Sequence, residues 1–131
     1  MNNIATTIQQ SKHLLELGLD PKTADMFWAH FNGEGRLYVR DMKYQLVHKY
    51  QVCVAWSLTA LLKVMPSFID YKGQKLRLTI EKAGAWNVFY IGTKHRLNEI
   101  WFNGEYGDPV EPAYKMVCWL LEQGLIEKGG N

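Results

Sequence analysis

The sequence predicts an α+β domain in which helices pack on one face of a mostly antiparallel sheet and both chain ends are helical. Three observations carry that reading. Apolar residues recur at helical spacing near both ends of the 131-residue chain, they alternate with polar residues through the middle, and turn residues separate the two patterns. No internal repeat or low-complexity segment accompanies them, and the length suits one domain over residues 1–131, with 127–131 as a frayed tail.

The first periodic segment, Ile4 to Leu17, opens on Thr6-Thr7 with Gln9 and Gln10 three residues on, a spacing that suits a capping box. Ile4, Ile8, Leu14, Leu15 and Leu17 then supply an apolar stripe. Gly18 ends it, and Leu19 is placed to pack back on Leu14 in a Schellman closure. Asp20-Pro21 reads as a second helix start, with Ala24, Phe27, Trp28 and Phe31 as its stripe and Asn32-Gly33 as its end. From Arg36 to Tyr50 the period becomes two, which predicts one or two strands.

Trp56-Ser57 reads as a staple and cap for a helix bearing Leu58, Leu61, Leu62 and Met65, closed by Pro66. Leu76, Leu78 and Ile80, then Gly84, then Trp86, Val88 and Tyr90 predict an antiparallel hairpin. A third strand follows over 97–102 and ends at Asn103-Gly104. Asp108-Pro109 introduces a last helix with the stripe Ala113, Met116, Val117 and Leu120, and Gly124-Leu125 repeats the terminator used after the first helix.

Composition narrows the function classes. Hydrophobic residues at 47% and charged residues at 21% are those of a chain that buries a core, and the net charge of +2 is too small to name a nucleic-acid partner. The N-terminus lacks the basic and apolar regions of a signal peptide, and no apolar run reaches the ~20 residues that span a bilayer, so the expectation is a cytoplasmic chain with no membrane role. Cys53 and Cys118 are read as reduced thiols, Cys118 as a small buried hydrophobe in a helical run.

No catalytic, cofactor-binding or metal-binding constellation is recognised. His13, His30, His48 and His95 are isolated in sequence, Gly33-Glu34-Gly35 precedes a strand rather than opening a helix, and no serine has the flanks of a nucleophile elbow. Asp108 and Glu111 suit a helix start better than an acid and base pair. Two surfaces carry functional colour. Arg36, Tyr38, Arg40, Lys43, Tyr44 and Lys49 interleave basic groups with rings, as single-stranded nucleic acid requires, although an edge hairpin guarded by lysines shows the same pattern. Trp101, Phe102 and Tyr106 lie on an aromatic, glycine-broken segment that either covers the end of the core or presents anchors to a protein partner.

Three blocks, Ile8 through Met26, Trp56-Ser57-Leu58 through Met65-Pro66, and Ala113 through Ile126, resemble a family of short uncharacterised proteins from Bacteroidetes genomes and prophage-like elements. The likeness covers most of the chain, with the middle strands matching least. It implies a cytoplasmic, mobile-element setting and carries no activity, cofactor or catalytic residue with it. The expectation is therefore a small non-enzymatic interaction or accessory protein of mobile-element or phage type, acting on a protein partner or on copies of itself through an aromatic surface. The alternative is single-stranded nucleic-acid binding through strands 36–50.

Overall fold

The computed structural model describes residues 4–31, 33–40, 50–93, 99–103 and 108–129, with the backbone alone at 31, 99, 101 and 103. Its elements are α1 (Ile8–Glu16), a 3-10 turn (Pro21–Thr23), β1 (Met26–Phe31), β2 (Glu34–Val39), β3 (Gln51–Ala55), α2 (Leu58–Val64), β4 (Phe68–Tyr71), β5 (Gln74–Ala83), β6 (Ala85–Gly92), β7 (Glu99–Asn103) and α3 (Val110–Glu122). The strands form two antiparallel sheets, one ordered β2-β1-β3 and the other β4-β5-β6-β7. The α+β class, the packing of helices against antiparallel sheet and the helices near both ends are as the sequence predicts. The division of the strands between two sheets is new.

Helix α1 starts at the capping box: Thr7 Oγ1 accepts the Gln10 amide at 3.1 Å while the Thr7 amide donates to Gln10 Oε1 at 3.0 Å. It ends as anticipated. Gly18 takes φ +101°, a conformation costly for any residue with a Cβ, and the Leu19 amide reaches the Leu14 carbonyl at 3.0 Å with both leucines buried. Ile4, however, lies outside the stripe and is 66% exposed. Residues before the cap are held instead by Trp56: the Thr6 amide donates to the Trp56 carbonyl at 2.9 Å, and Thr6 Oγ1 accepts the Trp56 amide at 3.0 Å.

The expected second helix is a correction. Asp20 and Pro21 do initiate, with Asp20 Oδ1 accepting the Lys22 amide at 2.9 Å, but they close one 3-10 turn and Ala24 is already extended. From Met26 the chain is strand. Within β1 Phe27 and Ala29 are buried while Trp28 and His30 on the other face are half-buried and exposed, and this two-residue period outweighs the helical spacing of the rings. Strands β1 and β2 accordingly form an antiparallel hairpin in which Phe31 pairs with Glu34 and Gly33 is a turn residue, while Asn32 lies outside the described residues. Strand β2 begins two residues before the predicted 36–50 region and overlaps its start, and residues 41–49 of that region lie outside the described set. Strands β3 and β4 are not anticipated by the sequence reading: β3 belongs to an unbroken apolar run, and β4 is only four residues long.

Helix α2 begins at Ser57, whose Oγ accepts the Ala60 amide at 3.2 Å, and stops at extended Met65 before Pro66. The hairpin β5–β6 turns at Gly84, and β7 pairs Phe102 with Val88. Helix α3 follows Asp108, whose Oδ1 accepts the Val110 amide at 2.9 Å, and its predicted stripe of Ala113, Met116, Val117 and Leu120 is wholly buried. Its end repeats that of α1, the Leu125 amide bonding the Leu120 carbonyl at 2.8 Å. Gly129 then donates to the Gly18 carbonyl at 2.9 Å, bringing the last described residues against the α1 terminator.

Paired residues in an antiparallel ladder share a face. Leu76, Leu78, Val88, Tyr90, Ile100 and Phe102 therefore line one side of the four-stranded sheet, and these join Leu61, Val110, Met116, Val117 and Leu120 of α2 and α3 in the main core. Tyr90 is fully buried, and its hydroxyl donates to the Pro66 carbonyl at 2.5 Å. Polar bonds tie the smaller sheet to this core: the Trp28 indole donates to the Thr6 carbonyl and the Trp56 indole to Thr23 Oγ1, both at 2.9 Å, and the Asp25 carboxylate takes both the amide and the hydroxyl of Ser57.

Candidate functional site

Burying one stripe of α3 leaves its flank beside the core. Tyr114, Lys115, Cys118, Trp119 and Glu122 fall there at spacings of one, three and four residues, so they form a continuous shoulder. Phe102 approaches from β7 because its register opposite Val88 sets it on the helix-facing side, and His13 approaches from the last turn of α1. Together these seven side chains line an open groove of about 320 Å³. Three segments far apart in sequence are needed to make it.

Rings dominate the lining. His13 meets Tyr114 edge to face with centroids 6.3 Å apart, and Trp119 is braced from behind by Tyr71 at 5.1 Å in the same style. Buried Cys118 lies one helical turn from Tyr114 on the same flank of α3. Burial is the main reason that the Cys118 thiol is pushed up to about 11, with the nearby Glu122 charge acting in the same direction. Burial likewise pushes the Tyr114 hydroxyl up, reinforced by Cys118 and Glu122. A thiol held protonated at neutral pH is a poor nucleophile, so Cys118 serves the groove as a weakly polar floor.

The polar groups at the rim differ in their neighbours. Lys115 Nζ lies 3.2 Å from Glu111 Oε1, and His13 Nδ1 lies 3.9 Å from Glu16 Oε2. Glu122 is exposed and makes no ion pair or hydrogen bond among the described residues.

Of the predicted aromatic surface, Phe102 belongs to this groove, Trp101 pairs with Phe89 in β7, and Tyr106 lies outside the described residues. Of the predicted nucleic-acid contacts, Arg36 is engaged by Glu34 through Nη2 at 2.6 Å and Nε at 3.1 Å, which raises its already high pKa. Arg40 Nη1 donates to the carbonyls of Pro21 at 2.7 Å and Ala24 at 3.2 Å, tying β2 to the 3-10 turn. Tyr38 stacks on buried Phe27 with centroids 5.5 Å apart. Lys43, Tyr44 and Lys49 lie outside the described residues.

The sequence reading missed His13, Tyr114, Cys118, Trp119 and Glu122 as a group. The available signal was two rings, Tyr114 and Trp119, displaced to one flank of the α3 stripe. Asp108 accepts the Val110 amide just before α3 and Glu111 pairs with Lys115, while His48 and His95 lie outside the described residues. Among the described residues no group of three His, Cys, Asp or Glu side chains could hold a metal ion, and no helix is long and apolar enough to cross a membrane. No family model, curated protein or solved structure matches the chain.

Proposed function

We propose that this chain is a small non-enzymatic interaction protein that works through the aromatic groove between α1, β7 and α3. The observation that carries the reading is the convergence of Phe102, Tyr114, Trp119 and His13 on open space. Rings give large contact area for little side-chain entropy, which is why they anchor protein interfaces. The groove is at the small end of the roughly 300–1,000 Å³ typical of ligand pockets, a size for one or two side chains of a partner.

Panning a displayed random-peptide library on the purified protein tests this. Peptides enriched on the native protein and lost on Trp119→Ala and on Phe102→Ala variants of native helicity support the groove. Absence of enrichment, or enrichment that survives both substitutions, removes it. Titration with single-stranded oligonucleotides at low salt is the counter-test, since a salt-dependent shift favours the basic-aromatic strands instead.

A further inference from the structure

We infer that the side chain received by this groove is an arginine of the partner protein, its guanidinium lying on the ring wall with its edge toward Glu122. The inference rests on the reading of the groove as a protein-binding site and adds the chemistry of its occupant.

Charge decides between the classes of side chain. The lining contains His13, Lys115 and Glu122, and the two basic groups have acidic neighbours in Glu16 and Glu111. Glu122 is left as the charge without a partner among the described residues. Its field reaches the floor, where it contributes to the upward displacement of both Tyr114 and Cys118. An apolar guest covering the groove would take water from this carboxylate and return nothing, whereas a cationic guest replaces that water with a charge-assisted bond.

The rings decide between cations. Phe102, Tyr114 and Trp119 line the groove, and against a wall of rings a planar guanidinium can stack while still donating at its edge. A lysine ammonium is more strongly hydrated and has no plane to stack. The open shape of the groove, which leaves a guest partly in water, therefore favours arginine.

The test uses N-acetyl-arginine amide, N-acetyl-lysine amide and N-acetyl-leucine amide as probes, titrated into the ¹⁵N-labelled full chain. The readout is the indole N–H shift of Trp119, assigned with Trp119→Phe. The arginine probe is expected to bind roughly fivefold more tightly than the leucine probe, the scale of one exposed ion pair plus one exposed cation–π contact. Glu122→Gln, a surface change that leaves the core untouched, should bring the two within about twofold. Equal binding of leucine and arginine probes, or an arginine preference undiminished by Glu122→Gln, overturns the inference and leaves the groove reading standing. If no probe moves Trp119, the inference and the groove reading fall together.

Discussion

Replacing Asp25 with alanine should be among the most damaging single changes outside the apolar core. The half-buried carboxylate accepts the Ser57 amide at 2.9 Å through Oδ1 and the Ser57 hydroxyl through Oδ2, and the same hydroxyl oxygen accepts the Ala60 amide at 3.2 Å to start α2. One side chain thus joins the chain entering β1 to the helix that follows β3. A hydrogen bond to a charged group contributes about 1.5–3 kcal/mol, and water partly re-solvates a half-exposed site, so losing both bonds should cost roughly 2–4 kcal/mol. That is a large share of the 5–15 kcal/mol typical of a domain. Urea unfolding followed by tryptophan fluorescence reads it as a lowered midpoint at unchanged slope. Asp25→Asn keeps one acceptor and should cost about half as much. A double-mutant cycle with Ser57→Ala isolates the hydroxyl bond, with an expected coupling of about 1–2 kcal/mol. Asp25→Ala within about 0.5 kcal/mol of the native protein, or a coupling indistinguishable from zero, would refute this account of the junction.

Two further outcomes follow from buried groups. Cys118 should resist iodoacetamide at pH 8, because its thiol is pushed up to about 11, and alkylation at the rate of an unfolded control would show the floor of the groove to be open. By linkage, the folded state holds this proton while the unfolded state releases it near the ordinary thiol value of 9.0, so stability should fall as pH rises between these two values. The fall should be shallower in Cys118→Ala, measured by thermal melts across that range. Thr79 has a buried Oγ1 with no hydrogen-bond partner among the described residues, so Thr79→Val should be neutral or stabilising by up to about 1 kcal/mol. A loss larger than that would reveal a bond to the hydroxyl.

What could be read directly in the sequence was the set of features whose cause is local. Thr7 and Gln10 cap α1 and Gly18 ends it. Ser57 starts α2 and Pro66 follows its end, and Gly124-Leu125 repeats the α1 closure after α3. Each of these needs only residues within about five positions of one another, so the chemistry is complete in a short peptide. The β5–β6 hairpin was legible for the same reason, with alternation on both sides of one turn residue.

Met26–Phe31 shows where local reasoning stops. Its rings satisfy a helical stripe and a strand alternation equally well, and the choice falls to pairing with β2 on one side and β3 on the other. Strand β3 is hidden by the same dependence, since an unbroken apolar run declares burial without declaring period. The groove is further still from the sequence. His13, Phe102 and the α3 flank share no motif, and they meet because the β7 register and the packing of α1 beside α3 leave a space that the core stripe does not fill.

The amino-acid order alone determined the start of α1 and α2 and the ends of all three helices, because caps, prolines and left-handed closures are short-range chemistry. The tertiary structure decided which extended segments pair, which flank of α3 lines a groove and which charge there lacks a counterpart among the described residues. Those depend on distances between residues separated by up to about a hundred positions, and such distances exist only once the chain has closed its loops and the entropy of doing so has been offset by burial.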